Sequence, residues 1–144
     1  MGEEGAWVEE NRSLSERERE VLDFMLGVDD PRLEPLRRQA STATVSGHCG
    51  CGCPTIGLTV DRTQARPAHG LGHAAVDARR RGAYGAPDYC ELILFVRDGL
   101  LSSLELVCYE RPIPEFPSKE DFEAPEVATR GRGQRPSSRT GGVP

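Results

Sequence analysis

Two apolar runs, residues 89–96 and 100–109, stand on either side of Arg97-Asp98-Gly99. Asp-Gly between such runs is a strong hairpin signal, because both residues accept the positive φ that a tight turn between twisted strands requires. Strands joined by so short a turn can pair only antiparallel, so the feature commits the chain to an antiparallel sheet. A three-residue loop, with Gly99 left-handed and a bulge, sets Val96 opposite Leu100, Leu94 opposite Ser102, Leu92 opposite Leu104 and Cys90 opposite Leu106. One face is then nearly all apolar, with Cys108 diagonal to Cys90. A two-residue loop would bring Glu91 onto that face, which disfavours it.

The residues before the hairpin supply further strands and two helices. Ala43 and Val45 alternate with Thr42, Thr44 and Ser46, and Ile56, Leu58 and Val60 alternate with Thr55, Gly57 and Thr59. The apolar parity changes between the two runs, so a hairpin whose tip is residues 48–54 fits better than one long strand. Pro54 also lacks a ladder donor. Ala74, Val76 and Ala78 give a weaker strand. Upstream, Ser15-Glu16-Arg17-Glu18 is a capping box. Val21, Leu22, Met25 and Leu26 follow at helical spacing, which predicts a helix over 16–27. A second helix is expected over 32–40, or from Glu34 or Pro35 onward if Pro35 sits in its first turn.

The expected fold class is therefore α+β: two N-terminal helices packed on an antiparallel sheet of about five strands. Residues 1–12 are expected to be flexible, 13–117 to form a single α+β domain, and 118–144 to be disordered. Arg130, Arg132, Arg135 and Arg139 make the end of the chain basic. The formal net charge of -5 nevertheless argues against a general nucleic-acid binder. No apolar run approaches the roughly 20 residues of a membrane-spanning helix. The acidic N-terminus has neither a basic region nor an apolar core of the secretory kind, so a cytoplasmic location is expected. In a reducing compartment the five cysteines read as thiols or metal ligands rather than disulfides.

Three of those cysteines fall within His48-Cys49-Gly50-Cys51-Gly52-Cys53-Pro54. On an extended strand, Cys49 and Cys53 would lie roughly 13 Å apart and could not share an ion. The intervening glycines accept positive φ and let the chain curl. Cys49, Cys51 and Cys53 are therefore candidate metal ligands, with His48 or His69 completing a zinc site. The spacing is not the paired Cys-x2-Cys of the commoner zinc sites. Two other readings stand beside this one: a tight hairpin tip with partly buried thiols packed as small apolar groups, and a redox pair at Cys51 and Cys53. His69-Gly70-Leu71-Gly72-His73 reads as a solvated loop, and Cys90 and Cys108 read as core. A glycine-rich phosphate loop, a Gly-x-Ser-x-Gly elbow and a His-Glu-x-x-His motif are all missing from the sequence, so an enzyme is not expected.

Four segments together resemble a group of short actinobacterial proteins. They are Leu14-Ser15-Glu16-Arg17-Glu18, Cys49-Gly50-Cys51-Gly52-Cys53-Pro54, the run from Phe95-Val96-Arg97-Asp98-Gly99 through Leu104-Glu105, and Glu115-Phe116-Pro117. No activity is established for that group, so the resemblance transfers no catalytic residue. The Asp-Gly hairpin followed by Leu-Glu is also similar to small immunity-type binding domains. The favoured function is accordingly a non-catalytic protein-binding module, immunity-like or regulatory, with an unidentified protein partner and neither nucleic acid nor membrane. Its interface is expected on the outward hairpin face at Leu101, Val107 and Tyr109. The alternative is a small zinc-binding or thiol-redox protein centred on Cys49, Cys51 and Cys53, zinc being the one cofactor considered.

Overall fold

A computed structural model describes residues 6–129. The chain opens with strand β1 (Trp7–Arg12) and helix α1 (Glu16–Met25). The capping box forms as the sequence indicates. Glu18 N–H donates to Ser15 Oγ at 3.1 Å, and Ser15 N–H donates to Glu18 Oε1 at 2.8 Å. The same carboxylate receives both terminal nitrogens of Arg12, at 2.8 and 3.0 Å, which clamps β1 to the start of the helix. A 3-10 turn (Pro31–Leu33) precedes helix α2 (Glu34–Ala40), so the second helix takes the later of its two expected starts, at Glu34, with Pro35 in its first turn.

Strands β2 (Thr44–Cys49), β3 (Ile56–Thr59), β4 (Leu71–Arg79), β5 (Cys90–Arg97), β6 (Leu100–Cys108) and β7 (Glu126–Thr129) complete the elements. With β1 they form one antiparallel sheet of seven strands in the order β1-β2-β3-β6-β5-β4-β7. The α+β class holds, and the strand count rises from about five to seven. The two added strands are the sheet edges, and they correct the expected boundaries. Residues 7–12 pair with β2 rather than lying loose. Beyond residue 117, Phe122 is 1% exposed in the core, Arg81 N–H donates to the Asp121 carbonyl, and β7 pairs with β4. The basic segment from Arg130 to residue 144 lies outside the described residues.

One face of the sheet is apolar. Val45, Ile56, Leu92, Leu94, Leu104 and Leu106 on that face join Val21, Leu22 and Met25 of α1 and Leu36 of α2 in a single core. The central hairpin reaches this arrangement by a different route from the one expected. Arg97 pairs with Leu100 across a two-residue turn, with Asp98 at φ 54 and Gly99 at φ 76. A bulge then shifts the register, so that Val96 faces Leu101 while Phe95 faces Ser103. The extra residue restores parity. Leu94 meets Leu104, Leu92 meets Leu106 and Cys90 meets Cys108, and Glu91 stays on the other face. The objection to a two-residue turn disappears once a bulge follows it. Among the described residues, no helix is long and apolar enough to cross a membrane.

Candidate metal centre

Strands β2 and β3 form a hairpin, held at its neck by Cys49 N–H donating to the Thr55 carbonyl at 3.1 Å. Beyond this bond the chain has no ladder to follow and curls through Gly50 and Gly52. Gly52 sits at φ +102, a conformation that L side chains rarely adopt. Gly50 N–H donates to the Ala6 carbonyl at 2.8 Å, and a Cβ at Gly50 would run into that oxygen. Glycine at this position lets β1 dock against the tip.

The curl brings the three thiols together. Cys49 Sγ lies 2.8 Å from Cys51 Sγ, which lies 3.0 Å from Cys53 Sγ, and all three sulfurs fall within 4.8 Å of one another. On a flat strand, side chains two residues apart would stand about 6.6 Å apart. Sulfurs bound to one tetrahedral zinc are about 3.7 Å apart, so an entering ion needs to spread the neighbouring pairs by only about 1 Å. Backbone donors also face the sulfurs: Cys51 N–H donates to Cys49 Sγ and Cys53 N–H to Cys51 Sγ, each at 3.4 Å. Cys51 is exposed, and Cys49 and Cys53 are half-buried. The set can hold one metal ion.

Neither histidine joins this set. His48 and Cys49 are adjacent on a strand, so their side chains leave opposite faces. The His48 ring turns to β1, where Nδ1 lies 2.5 Å from Glu10 Oε2. That hydrogen bond, with help from Arg12, holds the Glu10 carboxyl below its usual range despite partial desolvation. His69 is exposed in the loop before β4. Ala68 N–H donates to the Gly99 carbonyl at 2.9 Å, which fixes this loop at the Asp98-Gly99 turn. The cysteine tip lies toward Cys108, at the other end of the nine-residue β6 and so about 27 Å away along the strand. His69 is therefore removed from the candidate ligand set. His73 is also placed at the turn end, where Nδ1 contacts the Val96 carbonyl at 2.5 Å.

The remaining cysteines lie near the tip. Cys90 faces Cys108 directly across β5 and β6. Cys90 is fully buried, and desolvation pushes its thiol up to about 11, so it is an inert core group. Cys108 is half-buried, and its thiol is raised chiefly by burial, with Cys53 and Cys51 adding to the shift as electrostatic neighbours. Sequence reasoning placed Cys108 in the core. Its approach to the tip depends on the pairing of β3 with β6, across nearly fifty residues of chain, and no local pattern announces it.

The expected interface is altered. Leu101 is 3% exposed and faces the helices, because the bulge after the turn rotates it inward. Val107 stays half-buried on the outer face, and Tyr109 is 49% exposed. Tyr84, which the sequence did not single out, joins them at 75% exposed, with its ring 5.9 Å from Tyr109 and 5.2 Å from Tyr89. Both Tyr89 and Tyr109 donate a hydroxyl hydrogen bond to Glu91, at 2.9 and 3.2 Å.

Comparison with protein-family models, with curated proteins and with solved structures finds no match to this chain.

Proposed function

We propose that this chain is a non-catalytic protein that holds a soft metal ion, zinc first among the candidates, at the tip of the β2–β3 hairpin. The observation that carries the reading is the convergence of Cys49, Cys51 and Cys53 within 4.8 Å. Thiolates select zinc, copper(I) and iron–sulfur chemistry over magnesium or calcium. The ion would staple a tip that otherwise has few bonds of its own, because binding to the folded state alone adds to folding stability. Chelator should therefore lower the melting temperature of the purified protein, by roughly 3–5 °C for each kcal/mol of bound-metal stabilisation removed. Cys51→Ser should lie at the chelated value and gain nothing from added zinc. A wild-type melting curve that is identical with and without chelator sinks the metal reading and leaves a plain turn or a thiol-redox pair.

A second reading, a protein-binding surface, draws support from the exposed rings of Tyr84 and Tyr109 beside Val107. Contiguous exposed apolar side chains on an open sheet face mark partner sites. In affinity capture from cells that express the protein, Tyr84→Ser with Tyr109→Ser should lose specific companions that Cys51→Ser retains. If the double variant and the wild type retain the same companions, this patch is not an interface.

A further inference from the structure

We infer that Cys108 is the fourth ligand of the metal centre, which makes it a four-thiolate site rather than a three-cysteine site closed by histidine. The inference rests on the metal reading above and adds the identity of the closing residue. The β3–β6 ladder pairs Ile56 with Leu104 and Gly57 with Ser103. The contact of the two segments beyond the ladder is physical: Leu106 N–H donates to Thr55 Oγ1 at 3.0 Å. Cys108 follows two residues later, beside the tip, with Cys53 and Cys51 as its electrostatic neighbours.

Three further features separate Cys108 from an ordinary core cysteine. Its partner Cys90 is fully enclosed, whereas Cys108 keeps a solvent-facing side. The Ile113 backbone lies beside its sulfur, and at the tip Cys51 N–H and Cys53 N–H donate to Cys49 Sγ and Cys51 Sγ. Backbone donors to sulfur are the outer shell that orients thiolate ligands. The tip also has room to close. Cys108 is not within the 4.8 Å group of the other three, but the space around Gly52 is open, with nothing within 4 Å of the position its Cβ would take. His48, the competing fourth ligand, is already engaged through Nδ1 with the Glu10 carboxylate.

Zinc-edge X-ray absorption on the unsubstituted protein loaded with one equivalent of zinc decides between them. The expected shell is four sulfurs at about 2.3 Å, and a shell of three sulfurs with a nitrogen or oxygen at about 2.0–2.1 Å overturns the assignment to Cys108. Cobalt(II) then identifies the fourth sulfur. Cys108→Ala should lose about a quarter of the sulfur-to-cobalt charge-transfer intensity and bind cobalt at least about tenfold more weakly, whereas Cys90→Ala should match the wild type. A Cys108→Ala spectrum equal to that of the wild type overturns the inference and leaves the three-cysteine centre intact. If the wild type shows no charge transfer and no ordered sulfur shell, the metal reading itself has failed and this inference fails with it.

Discussion

Gln39 is the one polar side chain that is buried among the described residues, at 3% exposure. Its amide nitrogen donates to the Arg66 carbonyl at 2.9 Å and to the Gly99 carbonyl at 3.0 Å, and its oxygen accepts Leu101 N–H at 2.8 Å. A single side chain on α2 therefore ties down the hairpin turn and the loop that packs on it. Removing it leaves Leu101 N–H buried with no acceptor, because the bulge has taken that residue out of the regular ladder. Gln39→Ala should cost about 1–3 kcal/mol, the penalty for a buried unsatisfied group. In a urea titration the midpoint should fall with an unchanged slope; a loss under about 0.5 kcal/mol would remove Gln39 from this role. The Asp-Gly pair revealed the turn in the sequence. The glutamine that braces it was invisible, because its partners are up to 62 residues away.

Local signals were readable at the level of whole elements, and edge strands were not. The capping box placed α1, and alternation placed β2, β3, β5 and β6, because those segments bury one face and need the matching period. WVEENR and EVAT lack that pattern. Each has a neighbour on one side only, and polar side chains suit an exposed edge. The same reasoning explains why the domain extends past residue 117. Ser118–Phe122 docks through Lys119 N–H donating to Glu20 Oε2 at 3.0 Å, and it delivers the Phe122 ring to within 6.2 Å of Phe24. Phe122→Ala should destabilise the fold by about 3–5 kcal/mol, as expected for a buried aromatic. A thermal melt within a degree of the wild type would show that this segment is an appendage.

At the scale of the molecule, the chemistry divides between the two ends of the sheet. All five cysteines gather where β5 begins beside the end of β6 and where the β2–β3 hairpin tips over. His69 and His73 stand at the opposite end, beside the Asp98-Gly99 turn. Alternating glycine and cysteine made the thiol cluster readable from sequence, since only a curled backbone gives that spacing a purpose. The gathering of Cys108 and the turning of His48 to Glu10 depend on strand order, which composition and periodicity leave open. Strand order also gives the tip an optical gauge. Gly47 and Gly57 face each other across β2 and β3, and a Cβ on either would strike the indole of Trp7, the chain's single tryptophan. The ring lies on this bare patch of backbone, one residue from Ala6, whose carbonyl holds Gly50 at the cysteine tip. Light emitted by that one indole reports on the hairpin without any label attached.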